Sequence, residues 1–298
     1  MKIKPIFKIK FSKKIKYAIL LILILLLIAA ITYGIELFRK SELARKIEYV
    51  NDVKDDIKLN DGESIINVIK EDINGTSDSS YVVLVATEEY STKKLSKLSG
   101  NLEQYKNVSV IYLNKQDNII KRYDAHKSFN PNMSFEIIKN DTNENEKYVV
   151  VKDQDAGNIL ILKYNGEEFV DVIKSSFNID DLLGYTVNAT FSEENKNVLK
   201  VKLDNYNRSY LTANTEEISL DFSEQNVNKD TYRTSYLANK INKFEFFTEN
   251  GIIKLKCIQN ILYKTNNDEN LANNVGFVNT IFTLKDSKLA YEKVEVVK

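Results

Sequence analysis

The strongest constraint in this sequence is an uninterrupted apolar run near its N-terminus. Residues 17–35 read YAILLILILLLIAAITYGI and contain no charged side chain. A helix of this length, at about 1.5 Å per residue, comes close to the ~30 Å hydrocarbon thickness of a bilayer. Apolar side chains occupy every face of such a helix, so it lacks the polar face of a helix that packs on a soluble core. The run therefore predicts a transmembrane helix.

The charges around this run predict its orientation. Residues 1–16 carry seven lysines and no acidic residue, whereas all 42 Asp and Glu residues follow the run. Because cationic flanks stay on the cytoplasmic side, residues 1–16 are expected to form a basic cytoplasmic tail. That tail is expected to contact anionic lipid and no nucleic acid. The chain would then be a single-pass protein of the cell membrane that contacts lipid through residues 17–35 and has its C-terminal bulk outside.

A cleaved signal peptide is the competing interpretation of the same run. The run is longer than the apolar region of a usual signal peptide, and no small-x-small cleavage site closes it cleanly. Thr32-Tyr33-Gly34 comes nearest to such a site, and no cysteine lies close enough to take a lipid anchor. An uncleaved signal-anchor is favoured.

Composition limits the chemistry that the rest of the chain can perform. Hydrophobic residues make up 43% of the chain, which is enough for packed cores. Cys257 is the only cysteine and His126 the only histidine, so an internal disulfide and a Cys/His metal site are excluded. With 37 Lys against 5 Arg and no Trp, the composition is typical of A/T-rich coding in a low-GC Gram-positive bacterium. No cofactor is expected.

Two segments after the run are predicted to be helical. Residues 36–59 are charged, with apolar side chains at helical spacing, which predicts a juxtamembrane helical stalk. Isoleucines 65, 66, 69 and 73 predict a one-faced helix over residues 63–73, which Asn74-Gly75 closes.

A strand–helix–strand pattern follows. Residues 81–87 (YVVLVAT) and 108–113 (VSVIYL) are continuous apolar runs, typical of strands that are covered on both faces. A helix that begins at Ser91 separates them, so the two strands are expected to form a parallel βαβ unit. Residues 119–123 are interpreted as helical, and residues 134–138 as a further strand.

The order of these elements resembles a thioredoxin-like domain over residues 60–140. The resemblance rests on VVLVAT, the helix from Ser91, VSVIYLN, IIKRYD and NPNMSFEIIKN. Active members of that family carry Cys-x-x-Cys at the start of the helix, where this chain has Glu89-Tyr90-Ser91-Thr92. Since thiol–disulfide exchange requires a thiolate and a leaving thiol, the resemblance implies a scaffold with a binding cleft and no redox activity. The residues of that cleft would be Glu88, Glu89, Tyr90, Thr92 and Pro131.

The pattern changes after a polar segment at residues 140–147 (NDTNENEK), which predicts a domain boundary. Alternation with period two then predicts an antiparallel β-rich domain over residues 148–298, either a sandwich or an open curved sheet. Asn165-Gly166 and Asn250-Gly251 between apolar alternations are strong hairpin signals. The last strands resemble the C-terminal part of clostridial surface proteins with VCBS/FG-GAP-like repeats, whose Asp-rich calcium loops this chain lacks.

Several features that suggest chemistry are interpreted as structural. Residues 153–158 (DQDAGN) fail the ligand spacing of a calcium loop, so a hairpin turn is favoured. His126 has no Ser or Cys motif beside it and is interpreted as a loop residue. Adjacent acidic residues such as Glu167-Glu168 point to opposite faces of a strand, so they are no evidence for the paired carboxyls of a glycosidase. Cys257 is expected to be a small core residue.

These patterns together predict an α+β protein with a transmembrane helix, a thioredoxin-like domain and a β-rich domain. The predicted function is that of a non-catalytic binding or scaffold protein of a Gram-positive cell envelope. Its partner would be another envelope protein or a cell-wall polymer. The alternative is an envelope enzyme, such as a carboxylate-dependent cell-wall hydrolase. No catalytic, cofactor-binding or metal-ligating residue is predicted.

Overall fold

The computed structural model describes residues 13–75, 80–90, 102–140, 143–154, 157–177, 184–192, 194, 198–204, 215–221, 236–237, 241–265 and 268–298. The chain forms two compact units, of which the first ends at Asp52 and the second is Val53–Lys298. Their elements are α1 (Lys13–Val53), β1 (Glu63–Lys70), β2 (Ser80–Tyr90), β3 (Leu102–Asn114), β4 (Ile119–Asp124), β5 (Ser134–Asn140), β6 (Asn143–Lys152), β7 (Ile159–Tyr164), β8 (Phe169–Asp171), α2 (Val172–Phe177), β9 (Thr186–Phe191), β10 (Val198–Asp204), β11 (Thr215–Asp221), β12 (Tyr236–Leu237), β13 (Lys243–Glu249), β14 (Ile252–Thr265), β15 (Asp268–Lys285) and β16 (Lys288–Val297).

The helix of the first unit, α1, corrects the membrane prediction. Within the described residues, no helix is both long enough and apolar enough to cross a membrane. The predicted transmembrane helix over residues 17–35 and the single-pass cell-membrane location are therefore wrong. The contact of residues 17–35 with lipid stays a prediction.

In the part of the chain that the structure describes, the second unit is built from four antiparallel sheets of four strands each, not from the α+β arrangement that the sequence predicts. Sheet I has the order β1-β2-β3-β4, sheet II the order β5-β6-β7-β8, and sheet IV the order β13-β14-β15-β16. Sheet III has the order β11-β10-β9-β12. Three of the four sheets are thus simple meanders, in which each strand pairs with its neighbours in sequence.

Sheet I replaces the predicted thioredoxin-like domain. Residues 63–70 form strand β1 and pair with β2, although the isoleucine spacing predicts a helix there. Strands β2 and β3 are antiparallel, with Val83 opposite Ile111, so the expected parallel βαβ unit is wrong. The segment 119–124 is strand β4 and is not helical. The predicted burial of the apolar runs in β2 and β3 is confirmed, because Val83 and Ile111 are almost inaccessible to solvent.

The helix that is predicted to begin at Ser91 is only partly open to comparison. Residues 91–101 lie outside the described residues. Leu102 and Tyr105 lie in strand β3. Tyr105 forms a β-bridge with Phe129, and the two residues exchange backbone hydrogen bonds of 2.8 and 2.9 Å.

Sheet II is buried on both faces. Along β6, Tyr148 and Val150 contribute to one hydrophobic core, and Val149 and Val151 contribute to another. The first core also holds side chains of sheets III and IV, whereas the second is shared with sheet I. Because neighbouring strand residues point to opposite faces, a continuous apolar run is what such a central sheet requires.

The polar segment at residues 140–147 does not separate sheets I and II. Most of it belongs to strand β6, which pairs with β5 across the hairpin. Polar contacts add to the shared core: Lys147 Nζ lies 2.9 Å from Glu71 Oε1 and donates to the Asp72 carbonyl at 2.6 Å. Sheets I and II therefore belong to the same compact unit.

Sheet III has one buried face. Along β10, Leu199, Val201 and Leu203 are buried, while Lys200 and Lys202 between them are exposed. Strands β9 (TVNATF) and β10 (VLKVKL), whose residues alternate with a period of two, pair as an antiparallel hairpin. The sheet joins sheet IV at Gly184, where a Cβ atom would lie 2.7 Å from Gln259 Oε1. Gln259 can therefore bond the backbone of Tyr185, accepting from its N–H at 3.0 Å and donating to its carbonyl at 2.7 Å.

Sheet IV also has one face in the core. Leu255, Cys257 and Val278 face the core that sheets II and III share. The residues between them, such as Lys256 and Asn279, point to the opposite face, which is called the outer face of sheet IV below.

Candidate functional site

The predicted cleft residues Glu88, Glu89 and Tyr90 lie at the end of strand β2, paired in register with β3. The Tyr90 hydroxyl donates to Glu88, and Gln104 donates to Glu89. Lys106 Nζ lies 2.5 Å from Glu89 Oε1. Hydrogen bonds from Lys106 and Gln104 lower the pKa of Glu89, and the bond to Glu88 raises the pKa of Tyr90. The Glu88 and Glu89 carboxylates thus both take part in local polar contacts at the solvent-exposed edge of sheet I.

The other two predicted cleft residues add little to this edge. Thr92 lies outside the described residues, and Pro131 is exposed in the turn before β5. The turn follows Phe129, which bridges to Tyr105, and Tyr105 lies opposite Glu88 in the β2–β3 ladder. A binding cleft at the end of strand β2, near Tyr90, therefore stays a prediction.

Histidine and cysteine often carry catalysis, but His126 and Cys257 lie in different parts of the fold. His126 lies in the loop after β4 and helps to lower the pKa of Asp124, after Ser109 and Arg122. Cys257 is completely buried in the core, and burial raises the pKa of its thiol well above the ordinary value. A thiol that stays protonated and inaccessible is not a nucleophile. Among the described residues, no three or more His, Cys, Asp or Glu side chains are placed to hold a metal ion.

A concave site does occur on the outer face of sheet IV. It has a volume of about 570 Å³ and is called the sheet IV groove here; its lining residues are Gln154, Asn242, Lys243, Glu245, Lys256, Ile258, Asn260, Phe277 and Asn279. Gln154 comes from the hairpin between β6 and β7, which is held to the start of β13 by the Gly157 N–H that donates to the Ile241 carbonyl at 3.2 Å. The other residues come from β13, β14, β15 and the residue before β13.

The register of sheet IV explains why these side chains meet. Lys243, Ile258 and Asn279 lie opposite one another across β13, β14 and β15. Asn260 and Phe277 form the next row on the same face, since they are two residues further along their strands. The antiparallel pairing thus brings these side chains together on one face of sheet IV.

One carboxylate and two ammonium groups define the electrostatics of the groove. Glu245 Oε1 lies 2.7 Å from Lys243 Nζ, and Glu245 Oε2 lies 2.6 Å from Lys256 Nζ. The hydrogen bonds from Lys243 and then Lys256 lower the pKa of Glu245. The carboxylate is therefore ionised at neutral pH, and the charged groups neutralise one another except for a single positive charge.

The remaining polar groups are carboxamides. Asn242 accepts a hydrogen bond of 2.9 Å from the backbone N–H of Asn260, which fixes its side chain. The Oδ1 atom of Asn279 is buried and accepts no hydrogen bond from any described residue. Because this atom has almost no solvent-accessible surface, a ligand donor reaches it only if the Asn279 side chain rotates.

No family model, curated protein or solved structure matches this chain. What the groove can do must therefore come from its own chemistry. It offers carboxamide donors and acceptors, an aromatic ring and an ion-paired cluster with one excess positive charge, which are means of binding. Sequence reasoning interprets this region only as strands. The available signal was the alternate spacing of Lys254, Lys256 and Asn260, because a strand buried on both faces would not carry it.

Proposed function

We propose that this chain is a non-catalytic binding protein that holds its partner in the sheet IV groove. The partner would be a cell-wall polymer or another protein, as the sequence suggests. The observation that carries the proposal is the grouping of four carboxamides and the Phe277 ring around an open groove of about 570 Å³. Small-ligand sites commonly have volumes of about 300–1,000 Å³ with a few well-placed polar groups.

The chemistry of the groove supports binding over hydrolysis. Cleavage of a glycosidic bond uses two carboxyl groups, one of which is protonated when the reaction begins. Glu245 is the one carboxylate among the described residues that line the groove, and Lys243 and Lys256 keep it ionised. A carboxylate in that state cannot donate a proton to a leaving group. No contact in the groove favours the alternative of a cell-wall hydrolase.

The proposal is tested with the full chain, labelled with ¹⁵N, and a panel of probes from different chemical classes: a neutral oligosaccharide, a short peptide, a nucleotide and a fatty acid. The side-chain amide signals of Asn242, Asn260 and Asn279 report on the groove directly and are assigned through single Asn→Asp variants. At least one probe class is expected to shift these signals, and Phe277→Ala should weaken that shift. If no class moves them, the proposed function is wrong.

A matched control separates loss of the groove from loss of the fold. Lys202 is exposed on the outer face of sheet III, so Lys202→Ala changes a surface charge without altering the groove. The control variant is expected to respond to the same probe as the unsubstituted chain. An equal loss of response in Lys202→Ala and Phe277→Ala would contradict assignment of the site to the groove.

A further inference from the structure

We infer that the ligand of the sheet IV groove is a neutral saccharide chain of pyranose rings. This inference rests on the proposed function and names the ligand class of the same site. It comes from three properties of the groove: the pairing of its backbone, the ion pairing of both lysines with Glu245, and the combination of carboxamides with one aromatic ring.

Strands β14 and β15 of the groove have no free backbone edge for a peptide, and of the strands that line the groove only β13 is an edge strand of the sheet among the described residues. Strand β14 pairs with β13 and β15 on its two sides, and β15 pairs with β14 and β16. Peptide recognition by strand addition requires an exposed strand edge, and the groove is on a face of the sheet. Recognition must therefore come from the side chains of the outer face.

The charges of the groove do not suit an anionic ligand. Phosphate and carboxylate ligands are usually bound by free Arg or Lys groups or by helix N-termini. Both lysines of the groove are already held by Glu245, at 2.7 and 2.6 Å. An anion would compete with that carboxylate and meet its repulsion, so a neutral ligand is favoured.

Carboxamides are suited to hydroxyl groups. A carboxamide presents a donor and an acceptor side by side, and each hydroxyl is both a donor and an acceptor. Four carboxamides line the groove, on Gln154, Asn242, Asn260 and Asn279. These side chains can exchange hydrogen bonds with the hydroxyl groups of a sugar.

The aromatic ring supplies the remaining contact. Phe277 lies opposite Asn260 in the β14–β15 ladder and lines the groove from the same face. A pyranose ring has apolar C–H groups on its faces and hydroxyls at its rim, so it matches a flat ring beside amides. A purely apolar ligand would instead leave the carboxamides without partners, at a cost in free energy.

The test titrates two neutral tetrasaccharides, one of glucose and one of N-acetylglucosamine, into the ¹⁵N-labelled full chain. Either sugar is expected to shift the amide signals of Asn242, Asn260 and Asn279, and the stronger of the two identifies the source. Phe277→Leu keeps apolar volume but removes the ring, and we expect affinity to fall about tenfold. Asn279→Ala is expected to weaken binding by about five- to tenfold, because one hydrogen bond is lost.

The outcomes separate this inference from the proposed function. If the peptide or another probe moves the groove signals and neither sugar does, the saccharide inference fails and the binding function stands. If no probe moves them, both fail. An unchanged affinity in Phe277→Leu and Asn279→Ala, in chains whose Cys257 stays inaccessible to thiol reagents, would overturn the assignment of the sugar to this groove.

Discussion

Sheets II and IV have the same number of strands and the same simple meander order, yet they present different surfaces. Sheet II packs against sheet I on one face and against the shared core of sheets III and IV on the other. Sheet IV has one face in that core, and its outer face carries the groove. The difference shows that the place of a sheet in the stack, and not its topology, decides which residues it needs.

The sequences of the two sheets record this difference. In sheet II, the central strands read YVVV and ILIL, because both faces lose contact with water. In sheet IV, strand β14 reads IIKLKCIQN, in which polar and apolar residues alternate in part. Binding groups can therefore accumulate on sheet IV at little cost, whereas a polar group in sheet II would need a partner in the core.

The largest expected effect comes from a cavity in the enclosed sheet. Leu160 is completely buried between sheets I and II, and Leu160→Ala is expected to reduce the free energy of unfolding by about 2–5 kcal/mol. Phe247→Ala is the matched change on sheet IV, where the ring is 36% exposed, and should cost about 1 kcal/mol or less. Chemical denaturation measures both. Equal losses of unfolding free energy in the two variants would contradict the difference between the sheets.

The second prediction compares the two faces of strand β14. Burial raises the pKa of Cys257, so its thiol is expected to react with a thiol reagent on the order of 100-fold more slowly in the folded chain than in denaturant. A cysteine at the next position, made by Lys256→Cys in a Cys257→Ala chain, faces the groove and should react rapidly. The rates of thiol labelling, followed by absorbance, test this prediction. Similar native rates for the two thiols would refute the assignment of the faces.

The third prediction concerns the contact between sheets II and IV. Glu146 accepts hydrogen bonds from the Tyr148 hydroxyl at 2.6 Å and from the backbone N–H of Asp286, in the β15–β16 turn, at 3.0 Å. Burial acts to raise the pKa of Glu146, but the hydrogen bonds from Tyr148, Asn140 and Asp286 outweigh it and lower the pKa. A carboxylate in this position stabilises the folded chain at neutral pH.

The sign of the pH dependence follows from the lowered pKa. The stabilisation is fully present above the pKa of Glu146 in the unfolded chain and is lost as the pH falls through the lower, folded value. Glu146→Gln is expected to cost about 1–3 kcal/mol at neutral pH and to make the acidic loss of stability less steep. Denaturation at a series of pH values tests this, with the exposed Glu167→Gln as control. An unaltered pH profile would count against the contact.

The smallest effect is expected on the outer face of sheet IV. Lys293 Nζ lies 2.6 Å from Glu295 Oε1, but both side chains are more than 40% exposed. Such surface ion pairs contribute little, so Lys293→Ala should change the free energy of unfolding by about 0.5 kcal/mol or less. Denaturation at low and high salt checks this value. A loss as large as that of Glu146→Gln would show that the outer face supports the fold more than its exposure suggests.

The sequence predicts the local pairing of the chain better than its longer-range arrangement. The hairpins β6–β7, β9–β10 and β13–β14 follow from alternation and turn residues, and the structure confirms them. In contrast, Ile65, Ile66 and Ile69 predict a helix, whereas residues 63–70 form a strand whose register with β2 shifts between Ile65 and Asn67. Pairing with β2 decides between the two, and single-segment periodicity does not contain that information.

The parallel arrangement was wrong for a related reason. Continuous apolar runs at 81–87 and 108–113 indicate burial on both faces, but not strand direction. Parallel sheets are one way to bury both faces, and a stack of antiparallel sheets is another. The groove was equally hidden, because Gln154 is separated from the other lining residues by more than eighty positions and joins them only when sheets II and IV pack.

The meander order of sheets I, II and IV has a consequence for the entropy of folding. In these sheets, each strand pairs with the strand just before or just after it in sequence, so every pairing closes a short loop. The entropic cost of loop closure rises with loop length, so the ladders form from local contacts at low cost. Only the stacking of finished sheets must bring remote parts of the polypeptide together, and the assembly of this chain is to that extent hierarchical.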